Sequence, residues 1–209
     1  LQLCVGHPCV QRSKLEHCVT YKFGTQETPV VGGPSGADLA AGYRVLALQD
    51  WRATASNGAA FDNYAIGNLF NITTKVWSFS NSADKHIVSG DAGSFIFLPL
   101  GVTHAKLQLA WGQVDGATGS DYVVWKFGAV QAETGDQLLT ATDANVRNLE
   151  VTATKSQEPA QYAYKIDTIE LALTGWEDRP TMFYLTRVTG AGDEMAHFAN
   201  VYSLQILVR

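Results

Sequence analysis

Short segments in which apolar and polar residues alternate fill the second half of the sequence, and they constrain the fold more than any other feature. Between residues 105 and 111, the side chains of Leu107, Leu109 and Trp111 fall on one side of an extended chain. Because successive side chains of a β-strand point to opposite faces, this pattern predicts a strand with one buried face. Segments with comparable apolar patterns cover residues 95–98, 122–130, 148–154, 162–173, 182–188 and 201–208.

The spacing of these segments predicts the fold class. They recur every 8 to 14 residues, and no amphipathic helix pattern lies between them. A parallel α/β sheet needs such intervening helices, whereas strands with one apolar face each are buried when two antiparallel sheets pack face to face. We therefore expect an all-β fold, an antiparallel two-sheet sandwich of the jelly-roll type with an extended N-terminal arm.

The chain divides into three regions by composition. Residues 1–40 are rich in turn-forming residues and end in a linker-like run at 30–36, which favours an extended arm. Residues 41–94 are expected to be a connecting region of strands and loops, and residues 95–209 the sandwich.

One predicted strand changes phase without a turn. Tyr164 and Ile166 share one phase of the alternation, whereas Ile169 and Leu171 share the other. Such a slip predicts a β-bulge at residues 167–168, or a strand that crosses from one sheet to the other.

The charge balance argues against two classes of partner. The formal net charge is −5 and no Lys/Arg cluster is present, which argues against nucleic-acid binding. No apolar run approaches the length of a membrane span, so no membrane partner is expected. Only 17% of the residues are charged, which indicates that part of the surface is covered by a permanent partner.

The soft metal ligands of the chain lie close together near its start. Cys4, Cys9 and Cys18 are interleaved with His7 and His17. A zinc site, one disulfide or three free thiols are compatible with this set, but the spacing matches no common zinc motif. We therefore predict no metal site and no cofactor.

Reactive side chains elsewhere do not form a catalytic motif. The histidines at 86, 104 and 197 are widely separated, and the acidic pairs at 177–178 and 193–194 have turn-like neighbours. Adjacent acids in such loops are predicted to be solvated charges, not the two converging carboxylates of a glycosidase. The sequence therefore predicts no catalytic residue, and a protein that is not an enzyme.

The tryptophans divide into core residues and one candidate contact residue. Trp111 and Trp125 are in phase with the apolar faces of their strands, which predicts that they are buried. Trp176 follows a Thr-Gly turn and is predicted to be exposed, where it could contact a ligand or a neighbouring subunit.

The C-terminal half resembles the jelly-roll modules of tailed-bacteriophage virion proteins, among them capsid decoration (cement), head-fibre and tail-fibre modules. The segments that carry the resemblance are Tyr122–Gly128, Ile169–Trp176, Phe183–Val188, Gly192–Glu194 and Val201–Ile206.

The resemblance implies a structural protein located in the virion. In this interpretation a homotrimer binds the major capsid protein or another virion protein and stabilises the assembled shell. The alternative is a tail-fibre or lectin-like module that binds a glycan of the host surface. No site residue follows from the resemblance.

Overall fold

The computed structural model describes residues 35–46, 51–54, 57–66, 72–89, 95–113, 121–131, 147–156, 164–176, 180–190 and 192–209. These residues contain one short helix, α1 (Gly36–Ala40), and twelve strands. The strands are β1 (Arg44–Val45), β2 (Trp51–Ala53), β3 (Ala60–Ile66), β4 (Ile72–Phe79), β5 (Lys85–Ser89), β6 (Ile96–Phe97), β7 (His104–Gly112), β8 (Tyr122–Gln131), β9 (Arg147–Ser156), β10 (Tyr164–Ala172), β11 (Pro180–Val188) and β12 (Ala199–Val208).

The strands form two antiparallel sheets. Sheet I has the order β10-β7-β12-β4-β3, and β1 also pairs with β12. Sheet II has the order β2-β5-β11-β8-β9, and β6 also pairs with β11.

The pairing is nested, and this defines the jelly roll. Among the eight strands that form its frame, β4 pairs with β12, β5 with β11, β7 with β10 and β8 with β9. The first strand of the series thus lies beside the last, and the chain folds back on itself from the middle outwards. The predicted all-β, two-sheet fold of jelly-roll type is confirmed.

The sandwich extends to the N-terminal side of residue 95, where the sequence placed its start. Strands β2 and β5 belong to sheet II, and β1, β3 and β4 to sheet I. Of the predicted arm, residues 1–34 lie outside the described residues. Residues 36–40 form α1, which is capped by Ser35 and Asp38 in a reciprocal capping box.

The core lies between the two sheets and contains an aromatic cluster. Trp111 of sheet I and Trp125 of sheet II are fully buried and meet edge to face at 5.7 Å between ring centroids. Phe79 packs against Trp125 at 5.1 Å in the same manner. Each such pair adds about 0.5–1.5 kcal/mol to the stabilisation from burial alone. The predicted burial of the two tryptophans is confirmed.

The predicted phase slip in β10 is wrong. The register between β10 and β7 is unbroken from Tyr164 to Ala172. Tyr164 and Ile166 point away from the core and are 55% and 54% exposed. Asp167 takes the inward position that follows Ile166, and the indole Nε1 of Trp111 donates to its carboxylate at 2.8 Å. Because Tyr164 and Ile166 are apolar residues on the outer face, the sequence pattern suggested a change of phase that the strand does not have.

A register shift does occur in sheet I, but in a different strand. It lies between Val201 and Ser203 of β12, opposite β7. The strand β12 occupies a central position in its sheet, so the shift is a local β-bulge in an otherwise continuous ladder.

A buried arginine organises the loop between β11 and β12. Arg187 is fully buried, and its Nε and Nη2 atoms bind the two carboxylate oxygens of Asp193, each at 2.7 Å. Its Nη1 donates to the carbonyl oxygens of Phe79 and His197, and Nη2 also donates to that of Met195. All five donors of the guanidinium thus have acceptors.

Residues 35–43, which we call the strap, are held on the outer face of sheet I. Asp38 of the strap binds the Nζ of Lys106 at 2.6 Å and the amide of Gln108 at 3.2 Å. Tyr43 is buried and donates its hydroxyl to Glu170. Burial and the bond to Glu170 raise the pKa of Tyr43 to about 12. The strap is therefore fixed to sheet I by charged and polar contacts.

None of the helices in the described part of the chain is long and apolar enough to span a membrane.

Candidate functional site

The outer face of sheet II brings aromatic and polar side chains together, and we call it the Tyr184 face. Its central cross-strand row consists of one residue from each of five neighbouring strands. Inward positions of the same strands belong to the core, so these five residues point outwards. The row contains Arg52, Val88, Tyr184, Gly128 and Glu150.

The ring of Tyr184 lies across the glycine of the next strand. A Cβ atom added to Gly128 would lie 2.6 Å from Cε1 of Tyr184 and closer still to Cζ and the hydroxyl oxygen. Because a Cβ at that position points out of the sheet, the ring covers the space directly above Gly128. One face of the ring packs on the backbone of β8, and the other face points away from the sheet.

The hydroxyl of Tyr184 is held by two residues of β9. It lies 2.8 Å from Oε2 of Glu150 and 3.0 Å from the amide oxygen position of Asn148. A phenol has one proton, which it donates to the carboxylate. The amide oxygen of Asn148 is the second acceptor near this proton, and the side chain of Asn148 also hydrogen-bonds to Glu150. The ring is thereby fixed at its far end.

Glu150 has a second partner in β8. Its Oε1 lies 3.1 Å from Nζ of Lys126, and both side chains are partly exposed. The hydrogen bond from Tyr184 and the neighbouring Lys126 lower the pKa of Glu150, whereas burial opposes them. Burial and the bond to Glu150 raise the pKa of Tyr184. At neutral pH the carboxylate is therefore ionised and the phenol neutral.

The row next to Tyr184 contains a half-buried histidine. The Nδ1 of His86 lies 2.8 Å from Oγ1 of Thr186, which points outwards yet is almost fully buried. Burial lowers the pKa of His86, so its imidazole is neutral at pH 7. His86 thus covers part of the sheet without adding charge.

The Tyr184 face is long enough for several units of a chain molecule. With a spacing of about 4.8 Å between strands, the row from Arg52 to Glu150 spans roughly 19 Å. Val88, Met182 and Val130 are half-buried and give the face apolar patches between its polar groups. The arrangement offers a flat aromatic surface flanked by hydrogen-bonding groups.

The structure places Trp176 elsewhere. It is only 6% exposed and belongs to the core, and its carbonyl accepts a hydrogen bond from Gln131. The predicted exposure is wrong, because the turn at 174–175 directs the indole inwards against the end of the sandwich. A ligand or subunit contact through Trp176 stays a prediction.

The other sequence candidates do not converge in the described part of the chain. His104 lies at the start of β7 and His197 in the loop before β12, and neither belongs to the Tyr184 face. Asp193, predicted to be solvated, is buried with Arg187. Among the described residues there is no group of three His, Cys, Asp or Glu side chains that could hold a metal. The N-terminal Cys/His set and the acidic pair 177–178 lie outside these residues.

The sequence analysis missed the residues of the Tyr184 face. Tyr184 and Gly128 were taken only as members of strands, and Asn148 and Glu150 as polar alternation. A signal was nevertheless present: a glycine within a strand weakens it and often marks a close approach of another group. Which group approaches could not be known before the register of β8 and β11 was known.

Comparisons with known proteins give structural neighbours only. No family model matches the sequence, and no curated protein matches it. The fold is similar to a family 35 carbohydrate-binding module from Cellvibrio japonicus Abf62, with 14% identity and a TM-score of 0.44 over 78% of this chain and 92% of that one. It is also similar to the CBM22-1 xylan-binding domain from Paenibacillus barcinonensis Xyn10C, with 11% identity and a TM-score of 0.44 over 76% and 85%.

A third neighbour is a family 35 carbohydrate-binding module from an environmental isolate, with 14% identity and a TM-score of 0.40 over 78% of this chain and 90% of that one. At this identity and overlap the similarity assigns no ligand to the present chain.

Proposed function

We propose that this chain is a carbohydrate-binding domain that holds a glycan on the Tyr184 face without catalysing a reaction. The observation that carries the proposal is the position of Tyr184, whose ring lies across Gly128 and is fixed through its hydroxyl. An aromatic ring immobilised in advance loses little freedom when a ligand stacks on it.

The chemistry of the Tyr184 face suits a sugar. A pyranose ring presents C–H groups on its faces and hydroxyls around its rim. The exposed ring face of Tyr184 can pack against the C–H groups, as aromatic rings pack against other apolar groups. Asn148, Glu150 and Lys126 stand beside the ring and can bind the hydroxyls. Ligand sites commonly combine an apolar surface with a few placed polar groups in this way.

The arrangement favours binding over hydrolysis. Among the described residues that point outwards from the strands of the face, Glu150 is the one carboxylate. Glycosidases commonly use two acids on opposite sides of the bond that they cleave. We therefore propose a binding role and expect incubated glycans to be recovered intact.

Tyr184→Ala is the variant that tests the proposal. The wild-type chain is screened on a glycan array, and bound glycans are then titrated by calorimetry. Tyr184→Ala should abolish binding, whereas Tyr184→Phe should retain part of it because the stacking surface remains.

The matched control is Tyr164→Ala, which removes an exposed tyrosine from the outer face of sheet I. It should bind like the wild type. An array without any signal, or equal losses in Tyr184→Ala and Tyr164→Ala, would reject the proposal.

A role in virion assembly is the second candidate, and it stays a prediction. Large exposed apolar side chains favour a surface that is covered by a partner. Phe97 and Leu100 are 70% and 79% exposed near the end of the sandwich that carries β6. Sedimentation at tens of micromolar tests the homotrimer. A wild-type chain that sediments as a monomer, together with a Phe97→Ser variant that sediments in the same way, would remove this candidate.

A further inference from the structure

We infer that the ligand on the Tyr184 face is an uncharged sugar chain, one unit of which donates a hydroxyl to the carboxylate of Glu150. The inference rests on the proposed function and specifies its ligand. It follows from the hydrogen-bonding capacity that remains around Tyr184 and from the charges that face it.

Glu150 retains an acceptor position for a ligand. It has three protein partners: Lys126 at Oε1, Tyr184 at Oε2, and the side chain of Asn148. A carboxylate offers about four lone-pair sites, so about one site remains for a ligand. A hydroxyl of a sugar ring can donate to this site. The Tyr184 hydroxyl has already donated its proton to Glu150 and adds no donor for a ligand.

The polar groups beside Glu150 complete a set for a polyol. Two of the three N–H groups of Lys126 are not used by Glu150, and the amide of Asn148 stands next to Tyr184 and Glu150. A sugar hydroxyl can both donate and accept, so it can use either group. The set has no second carboxylate and no unpaired guanidinium that would bind an acidic substituent.

The charges around the ring sum to zero. Lys126 and Glu150 form an ion pair at 3.1 Å, and the imidazole of His86 is neutral. Arg52 stands two strands away from Tyr184 on the opposite side of the row from Glu150, at roughly 10 Å given the spacing of about 4.8 Å between strands. A carboxylate of a sugar stacked on Tyr184 would therefore be repelled by Glu150 at close range. Lys126 would not offset this repulsion, because it already pairs with Glu150.

The test compares neutral hexasaccharides of the glucan, xylan, mannan and galactan types with hexagalacturonate, each titrated against the folded chain by calorimetry. We expect a neutral chain to bind and hexagalacturonate to bind at least about tenfold more weakly. Glu150→Gln should weaken the neutral ligand by roughly tenfold, since hydrogen bonds to charged groups are stronger than neutral ones.

The control variant is Glu170→Gln. Glu170 of sheet I also accepts from a tyrosine, Tyr43, pairs with a cation, Arg209, and has the same partial exposure as Glu150. Glu170→Gln should leave binding unchanged, and thermal unfolding of both variants shows whether the sandwich is intact.

The outcomes separate the inference from the proposed function. Tyr184-dependent binding of hexagalacturonate as tight as that of neutral chains, or a Glu150→Gln variant that binds like the wild type, would overturn the inference and leave a carbohydrate-binding domain. Absence of binding to every glycan tested would overturn the proposed function itself.

Discussion

Replacing Arg187 by Met should destabilise the protein more than replacing any exposed charged residue of the described fold. Arg187 is fully buried and Asp193 nearly so, and the variant would leave that carboxylate without a cation. Removing one partner of a buried ion pair typically costs about 3–5 kcal/mol. For a domain of this length each kcal/mol lowers the melting temperature by roughly 2–4 °C, which predicts a fall of roughly 6–20 °C.

A second substitution makes this test sharper. In the wild type, Asp193→Asn should destabilise because it weakens two hydrogen bonds to the guanidinium. In the Arg187→Met background the same change should stabilise, because it removes an unpaired buried charge.

Thermal and denaturant unfolding of the four proteins measure the difference, with Arg209→Gln as a control. Arg209 forms a partly exposed pair with Glu170 and should contribute less than about 1 kcal/mol. If Asp193→Asn had the same effect in both backgrounds, the reasoning would be refuted.

Three further predictions concern the two outer faces. Gly128→Ala should displace the Tyr184 ring and weaken glycan binding by about tenfold, equivalent to about 1.4 kcal/mol, whereas Thr152→Ala on the same face should change affinity little; calorimetry measures both. Contacts with Lys106 and Ser35 lower the pKa of Asp38, and the bond from Tyr43 lowers the pKa of Glu170. The stabilisation by these two carboxylates is therefore present above their ordinary pKa values of 3.8 and 4.5, and it is lost as the pH falls through the lowered pKa values. Denaturant midpoints between pH 6 and pH 3 should therefore fall less in a variant with Asp38→Asn and Glu170→Gln than in the wild type; equal slopes would contradict this. Ile166→Thr should change the free energy of unfolding by less than about 0.5 kcal/mol and Ile169→Thr by about 2 kcal/mol or more, because only Ile169 of these two residues is buried. Similar losses in both variants would show that both residues are buried, as the predicted phase slip requires.

Sequence periodicity predicted the strands well where one face is apolar and the other polar. Strands β7 and β8 fall where Leu107, Trp111 and Trp125 placed them, because burial of these residues requires the alternation. The same reasoning failed for β10, where Tyr164 and Ile166 are exposed and the inward Asp167 is bound by Trp111. Alternation reports which residues are apolar, and only the packed structure shows which face is covered.

The candidate site was beyond reach for a different reason. Tyr184 and Glu150 are 34 residues apart, and they meet only because β11, β8 and β9 are neighbours in one sheet. Arg187 and Asp193 are close in sequence, yet their burial depends on carbonyl groups from β4 and from the β11–β12 loop. Pairings of this kind are set by topology, which a single sequence with no fixed motif does not specify.

The nested strand order has a consequence for biosynthesis. Strand β12 inserts between β7 and β4, so sheet I stays split, with two unpaired edges, until residues near 208 have left the ribosome. Open edges of this kind readily pair with strands of other chains. Completion of sheet I therefore waits for β12, and contacts between such distant residues form slowly.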